Sequence, residues 1–269
     1  MKTAVVVTTY NRPDALAAVL DGYCEQADTD FELLVADDGS THETRTLITG
    51  YAARAPFALY HVWQEDTGFR PGAARNRAVA RTQADYLIFV DGDCVPAQDF
   101  VRRHKLLAEK HYFLSGNRVL LSEPFTQQVL AEHLPLHQWR AARWLRAWLA
   151  RDVNRLLPLL MLPDAPFRKR SPQKWEGVKT CNLSLWRADF MRVNGFDESY
   201  SGWGLEDSDL AIRLIHAGVH HKSARFATPV FHLWHRENDR GRLAENQKLL
   251  DELMASNRVE ARVGVDQYS

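Results

Sequence analysis

Cysteine is scarce in this sequence, which has only Cys24, Cys94 and Cys181 among 269 residues. They are odd in number, far apart and without the paired spacing of a zinc site, so no disulfide framework is expected and a reducing, cytoplasmic location is predicted. Long apolar runs are missing too, since no stretch reaches the roughly 18 to 20 residues that span a bilayer. The apolar N-terminal run is short and lacks a following cleavage site, which favours a buried strand over a signal peptide.

An excess of charge of one sign is also missing, because Lys plus Arg and Asp plus Glu number 34 each. Such a chain has no global basic field, so nucleic acid is not an expected partner. Hydrophobic residues make up 45% and charged residues 25%, which are ordinary values for a globular protein with a substantial core.

The first third of the chain alternates strand and helix patterns. Apolar runs predict strands at 3–9, 31–36, 57–63 and 86–90, and helical spacing predicts helices at 14–25, 41–53 and 72–81. Continuous apolar strands separated by helices indicate a parallel sheet that is covered on both faces. Strand and helix signals return at 179–186, 187–193 and 210–217. The predicted fold class is therefore α/β, with a Rossmann-like, mostly parallel central sheet flanked by helices.

Polar clusters follow three of the predicted strands. They are 10–12 (YNR), 37–40 (DDGS) and 91–93 (DGD). In such sheets ligands bind at the carboxyl ends of the strands. Asp37 and Asp38 can accept hydrogen bonds from a base or a ribose, and Arg70 and Arg75 can contact phosphates. The alternatives are an ordinary turn for the first pair and solvated helix charge for the second.

Two patterns suit a divalent cation. Asp91 and Asp93 flank Gly92, which permits a turn that lets both carboxylates face one crevice. Oxygen ligands of this kind bind Mn²⁺ or Mg²⁺. His232 and His235 lie three residues apart in a later turn, and imidazole also binds Mn²⁺. An acidic turn and hydrogen-bonded structural histidines are the alternatives, and His235 is the stronger of the two histidine candidates.

A general base is predicted at Glu206-Asp207. Trp203, between two glycines, offers an aromatic wall on which a sugar can stack. A carboxylate near an acceptor hydroxyl can remove its proton and make it nucleophilic. The alternative is that these acids cap the predicted helix at 210–217.

The stretch 133–172 is basic and rich in tryptophan, with Trp139, Trp144 and Trp148. Its arginines roughly follow a helical stripe, so an amphipathic helix with a basic side is predicted. One interpretation is a helix that packs on the sheet with a solvated arginine face. The other is a surface that makes peripheral contact with anionic lipid of the inner membrane or with a lipid-linked acceptor.

Together these motifs resemble the inverting family 2 glycosyltransferases with a GT-A fold. The matching segments of the first half are 8–12 (TTYNR), 37–40 (DDGS), 72–76 (GAARN) and 91–93 (DGD). The second half is similar to the galactosyltransferase-like carboxyl segment through 182–184 (NLS), 195–198 (GFDE) and 202–209 (GWGLEDSD). The match runs in the expected order from about residue 5 to residue 235, and the ordered set is far more specific than any one motif.

The resemblance implies a role for each site residue. Asp207 is the catalytic base and Glu206 contacts the acceptor or donor sugar. Asp93 is the metal ligand, and His232 and His235 fall where related galactosyltransferases have a ligand pair. The nucleotide-sugar-binding set comprises Thr8, Tyr10, Arg12, Asp37, Asp38, Arg70, Arg75, Asp91, Gly92 and Trp203. Ser208 stands where some relatives have an acidic residue, which leaves the role of that position open.

The implied reaction moves a hexose or N-acetylhexosamine from a UDP-sugar to a hydroxyl of a glycan acceptor by a single, inverting displacement assisted by Mn²⁺ or Mg²⁺. Processive members carry a Q-x-x-R-W motif after the base. Here Gln138 and Arg143-Trp144 have another spacing and precede the base, so one sugar is added per acceptor. By association, the acceptor belongs to bacterial lipopolysaccharide, capsule or surface polysaccharide synthesis and is lipid-linked.

Two alternatives remain. A nucleotidyltransferase that makes a sugar nucleotide would be expected to carry a glycine-rich phosphate loop near the first strand, and 8–12 lacks one. A catalytically inactive sugar-binding module would be expected to have lost Asp93 or Asp207, and both are present.

The expected organisation is one GT-A domain over 1–240, with a nucleotide-binding half at 1–100. The acceptor-binding half would cover 101–240 and include a helical insertion at 133–172. A helical tail would follow at 241–269.

Overall fold

The alternating pattern of the first third is present in the computed structural model, which describes residues 1–236 and 239–268. The elements are β1 (Thr3–Thr9), α1 (Pro13–Cys24), β2 (Glu32–Asp37), α2 (His42–Ala52), β3 (Ala58–Trp63), α3 (Pro71–Ala80) and β4 (Tyr86–Asp91). Every boundary lies within one residue of its prediction. The signals are local, since Pro13 and Pro71 each occupy the first position of their helix.

The rest of the chain adds six short strands and six helices among the described residues. They are β5 (Cys94–Pro96), α4 (Phe100–Leu107), β6 (Tyr112–Ser115), β7 (Arg118–Leu120), α5 (Glu123–Ala131), α6 (Ala141–Leu149), β8 (Leu183–Trp186), α7 (Arg187–Arg192), α8 (Glu206–His216), β9 (His220–Ser223), β10 (Val230–His232) and α9 (Leu243–Met254).

The central sheet has seven strands in the order β3-β2-β1-β4-β8-β6-β9. β1 pairs in parallel with β2 and β4, and β2 with β3, which confirms the predicted parallel half. β8 is antiparallel to both β4 and β6, whereas β9 is parallel to β6. A second sheet, β5-β10-β7, brings the late strand β10 beside the segment that follows β4.

Alternating side chains of the parallel strands fill two cores, one on each face of the sheet. Val5 and Val7 of β1 pack with α1, α2 and α4 on one face. Ala4 and Val6 pack with α3, α7 and α8 on the other. A strand that is buried on both faces must be apolar throughout, which is why the β1 run is continuous.

The strand register places the polar clusters at one edge. Thr8 lies opposite Asp91, and Thr9 lies opposite Asp37. The Gly92 N–H donates to the Thr8 carbonyl at 2.7 Å, and a Cβ on Gly92 would lie 2.9 Å from that oxygen. Gly92 is not among the residues with positive φ. The glycine is needed for close approach of two backbones rather than for a left-handed turn.

The amphipathic helix predicted in 133–172 is present but occupies only a small part of that stretch. Helix α6 covers only nine residues, and the chain leaves it at Arg151, which has a φ of 64°. Pro158, Pro163 and Pro166 then disfavour another helix, and short 3₁₀ turns form at Leu157–Leu159 and Pro166–Lys169. Trp144 is buried and stacks on Phe231 with ring centroids 4.4 Å apart, so part of this segment does pack on the core.

The chain after α9 returns to the domain. Arg258 donates to Asp197 at 2.8 Å, and Val265 is buried in the core that contains α8. The division into 1–240 and 241–269 stays a prediction. Over residues 1–236 and 239–268, none of the helices combines the length and the apolar character needed to cross a bilayer.

Candidate active site

An open cleft of about 1140 Å³ lies at the carboxyl ends of β1 and β4. This exceeds the volume of about 300 to 1,000 Å³ that holds one small ligand, so a nucleotide sugar and part of an acceptor can share it. The cleft brings together thirteen predicted site residues: Thr8, Tyr10, Arg12, Asp38, Arg75, Asp91, Gly92, Asp93, Trp203, Glu206, Asp207, His232 and His235.

Asp37 and Arg70 are the two predicted site residues that do not line this cleft. Asp37 is fully buried, where its carboxylate accepts the Ser40 N–H at 2.8 Å and lies 2.7 Å from His61 Nε2. The Arg70 guanidinium donates to the carbonyl of Glu65. Both residues shape the loops behind the cleft in this structure, and their direct contact with a nucleotide stays a prediction.

Asp38 lines the cleft beside the loop that precedes α3. Its carboxylate accepts hydrogen bonds from Gln64 Nε2 and from the Arg70 backbone N–H, both at 2.6 Å. Burial raises the pKa of Asp38, although these bonds oppose the rise. Nearby, the hydroxyl of the exposed Tyr10 donates to Asp66 at 2.9 Å, and this bond raises the pKa of the phenol. An exposed aromatic ring fixed at the cleft edge can stack on a base.

The metal candidates meet at one wall. Asp93 Oδ2 lies 3.3 Å from His235 Nε2, and Asp93 Oδ1 lies 3.7 Å from His232 Nε2. The pairing of β10 with β5 brings these residues together, and the Leu233 N–H also donates to the Asp93 carbonyl. Burial lowers the pKa of His232 to about 4, and a neutral imidazole is the form that binds metal.

This donor set fits a cation. One ligand atom from each of Asp93, Cys94 and His232 lies within 4.8 Å of the others, and His235 Nε2 lies 3.3 Å from the Asp93 carboxylate. Imidazole beside carboxylate suits Mn²⁺ better than Mg²⁺, which prefers oxygen and bound water. When bound, the ion would be held by Asp93, His232 and His235 and would offset the negative charge of a diphosphate.

Arg75 connects the opposite walls. It is 4% exposed, and its guanidinium donates to Thr8 Oγ1 at 2.9 Å, Asp91 Oδ1 at 3.1 Å and Glu206 Oε1 at 3.4 Å. Burial opposes its charge, but Asp91, Glu206 and Asp207 outweigh this and raise the pKa of Arg75. Burial raises the pKa of Asp91 to about 6; the charge of Arg75 opposes this rise, and the charge of Asp93 adds to it. The arginine organises three elements rather than standing free for a phosphate.

The two candidate catalytic acids lie in the first turn of α8, which begins at Glu206 rather than at the predicted position 210. Leu205, with a φ of 77°, turns the chain into the helix. Asp207 Oδ2 accepts the Thr180 N–H at 3.1 Å, which orients the carboxylate, and the helix N-terminus favours its negative charge. Burial, together with the charge of Asp207, raises the pKa of Glu206 to about 8 although Arg75 opposes it.

The two acids therefore lie in different surroundings. Burial favours the neutral form of Glu206, which can donate a hydrogen bond, whereas the Asp207 carboxylate is oriented by the Thr180 N–H. Asp209, two residues on, is fully buried in an ion pair with Arg213 and takes no part in the cleft.

Sequence reasoning missed several cleft residues. Arg118, Lys179, Thr180 and Arg242 all line the cleft. Arg118 begins β7, Lys179 and Thr180 precede β8, and Arg242 precedes α9, and no motif marks any of them in the sequence. Only the fold places the loops before β8 and after β10 beside the acids, so no local signal was available.

Comparison with known proteins identifies the family of the chain. The family model described as glycosyl transferase family 2 matches residues 4–166, and the model described as N-terminal domain of galactosyltransferase matches residues 167–236. Validoxylamine A glucosyltransferase of Streptomyces hygroscopicus subsp. limoneus is 34% identical over 227 residues, which cover 80% of this chain and 48% of the relative. Chondroitin synthase of Escherichia coli is 26% identical over 245 residues, covering 83% and 34%. The chain thus spans about half the length, or less, of these relatives.

Solved structures show the same fold. TarS of S. aureus in complex with UDP aligns with a TM-score of 0.63 at 16% identity, over 100% of this chain and 68% of TarS. The mannosyltransferase PcManGT of Pyrobaculum calidifontis, solved with GDP-Man and Mn²⁺, aligns with a TM-score of 0.61 at 20% identity, over 94% and 63%. The predicted GT-A class of α/β fold is confirmed.

Proposed function

Because this chain belongs to glycosyl transferase family 2, we propose that it transfers a hexose or N-acetylhexosamine from a UDP-sugar to a hydroxyl group of a glycan acceptor. One observation carries the proposal: a single cleft holds a carboxylate that faces two imidazoles and, on another wall, a carboxylate at the start of α8. The similarity to a glucosyltransferase and to a poly(ribitol-phosphate) β-N-acetylglucosaminyltransferase supports the sugar class.

The reaction is a single displacement with inversion at the anomeric carbon. Asp207 accepts the proton of the acceptor hydroxyl, and that oxygen forms a bond to the anomeric carbon as the bond to the diphosphate oxygen breaks. Asp38 and Tyr10 hold the nucleoside side of the donor. Glu206 donates a hydrogen bond to a sugar hydroxyl, which its raised pKa permits.

The acceptor side of the cleft is formed by the loop around Trp203, whose ring offers a stacking face. We propose a non-processive enzyme that adds one sugar to a lipid-linked glycan of a bacterial surface polysaccharide. The volume of the cleft and its open side support an acceptor larger than a monosaccharide.

Asp207→Asn tests the proposal. The amide oxygen can still accept the Thr180 N–H, so the loop should hold, but the amide cannot take a proton. With a panel of UDP-sugars, Mn²⁺ and glycan acceptors, we expect transfer by the variant to fall about 10²- to 10⁴-fold. The Mn²⁺-dependent thermal shift produced by UDP should be unchanged.

Asp189→Asn is the matched control. Asp189 also lies in the first turn of a helix, α7, but pairs with Arg192 away from the cleft. This variant should retain full transfer. Undiminished transfer by the Asp207 variant would remove Asp207 from the role of base, and a wild-type protein that neither binds nor turns over any sugar nucleotide would refute the proposed activity.

A further inference from the structure

A set of apolar side chains lies exposed on the loop that follows α6. Leu157, Leu160, Met161, Leu162 and Phe167 are between 36% and 63% exposed. Residues 160–163, Leu-Met-Leu-Pro, are four consecutive apolar residues that all face solvent. Runs of this kind are unfavourable on a soluble surface unless they bind something.

The loop is held rigidly from behind by a buried arginine. The Arg168 side chain is 1% exposed and donates to four carbonyl groups, those of Leu162, Pro163, Ser223 and Arg225, at 2.7 to 3.0 Å. The Leu162 N–H donates to the Phe226 carbonyl at 2.7 Å. These bonds anchor the backbone of the loop while its apolar side chains stay exposed, so the fold itself holds them at the surface.

Basic residues surround this loop in the sequence. Between residues 139 and 170 there are eight Arg or Lys and only two Asp, although the whole chain is neutral. Asp164, the one acid within the loop, is paired with the buried Lys222 at 2.8 Å. Arg140, Arg146, Arg151 and Arg170 are exposed and make no ion pair with any residue of 1–236 or 239–268.

The outer face of α6 has the same character. Leu145, Trp148 and Leu149 occupy one side of the helix and are 44% to 68% exposed, with Arg146 beside them. Trp148 is amphipathic and suits a membrane interface, where such rings concentrate. Exposed apolar groups together with unpaired cations match anionic lipid in both respects.

We propose that the loop at 157–167 and the outer face of α6 dock on an anionic lipid bilayer. Apolar side chains enter the headgroup region while the arginines contact lipid phosphates. The segment starts next to the cleft, because Asn154 donates its N–H to the Leu120 carbonyl and Leu120 lines the cleft. Docking would therefore bring the Leu120 edge of the cleft near the lipid surface.

Co-sedimentation of the full chain with sucrose-loaded vesicles tests this. Vesicles of phosphatidylcholine with a quarter phosphatidylglycerol are compared with pure phosphatidylcholine at low and at physiological salt. Wild-type protein should bind the anionic vesicles, and the affinity should fall as salt rises. No donor or metal is present, so a failed binding test leaves the proposed transfer reaction untouched, and the reverse also holds.

Two double variants locate the surface. Each basic residue near an anionic membrane is worth roughly a fivefold change in affinity, so Arg140→Glu with Arg146→Glu should weaken binding at least about 25-fold. Leu157→Ser with Leu160→Ser should weaken it about tenfold or more. Arg81→Glu with Leu106→Ser is the control, because Arg81 at the end of α3 and Leu106 in α4 are exposed outside the proposed surface. This variant should change the affinity for vesicles less than about twofold.

Three results would overturn the proposal. They are no binding of wild type to anionic vesicles at low salt, equal loss in the control variant, and a concentration-dependent dimer in sedimentation equilibrium that the Leu157 and Leu160 changes abolish. The last would assign the surface to a second copy of the chain. All substituted side chains are exposed, and unchanged melting temperatures would show that the variants fold.

Discussion

Replacing Arg75 with Met should destabilise the protein by removing the cation between three elements. Met keeps much of the aliphatic volume beside Phe196 but makes no bond to Thr8, Asp91 or Glu206. Breaking a fully buried pair costs about 3 to 5 kcal/mol. The Asp91 side chain is 33% exposed to the cleft, so solvent screens part of this loss, and we expect about 2 to 3 kcal/mol.

Urea and thermal unfolding of metal-free protein measure this loss. A change of about 2 to 3 kcal/mol corresponds to a melting temperature that is roughly 5 to 10 °C lower. The loss should shrink at pH 5, because Glu206 with its pKa of about 8 is then protonated in the folded state and needs no cation, whereas at pH 9 it is ionised.

Arg77→Met is the control on the same helix. Arg77 is exposed, and its guanidinium lies over the ring of Tyr268, so we expect a change of at most about 1 kcal/mol. Equal effects of the two substitutions, or a loss for the Arg75 variant that does not depend on pH, would refute the argument that Arg75 offsets the charge of the cleft acids.

Further substitutions test other parts of the structure. Gly92→Ala should destabilise the domain and weaken UDP binding, because its Cβ would lie 2.9 Å from the Thr8 carbonyl oxygen. A Cβ on Gly50, an exposed position of α2, meets nothing within 4 Å, so Gly50→Ala should add up to about 1 kcal/mol of stability. Equal melting temperatures for the two variants would contradict this. His104 is buried, and its desolvation lowers its pKa from 6.5 to about 3. As the pH falls below about 6.5, the unfolded state therefore binds a proton at His104 and the folded state does not. The stability of the wild type should then decrease more between pH 7.5 and pH 5 than that of His104→Gln. Urea midpoints at pH 7.5 and 5 measure this, and parallel losses would show that another group titrates.

The parallel half of the fold could be predicted because its information is local. A strand covered on both faces must be apolar along its whole length, and β1, β2 and β4 are such strands, whereas β3 forms the more exposed edge of the sheet. The antiparallel β8, inserted between β4 and β6, joins residues about 100 positions apart along the sequence, such as Leu87 and Leu185. No local pattern encodes such a pairing, so the mixed sheet was not predicted.

The site follows the same division. Asp93, Asp207 and the two histidines could be identified from short motifs, and the fold brings them into one cleft. The bridging role of Arg75 could not, because it depends on Thr8, Asp91 and Glu206 meeting across three elements. The helix predicted in 133–172 covers only Ala141–Leu149 for another reason: the period of its arginines is helical, but Arg151 takes a left-handed conformation and prolines follow.

The most direct test of the metal-assisted cleft is anomalous diffraction at the manganese edge from crystals soaked with UDP and Mn²⁺. The account predicts one strong peak in contact with the Asp93 carboxylate and with Nε2 of His232 or His235, next to density for the diphosphate. Bound UDP whose diphosphate lies away from Asp93, with no manganese peak at these three side chains, would contradict it.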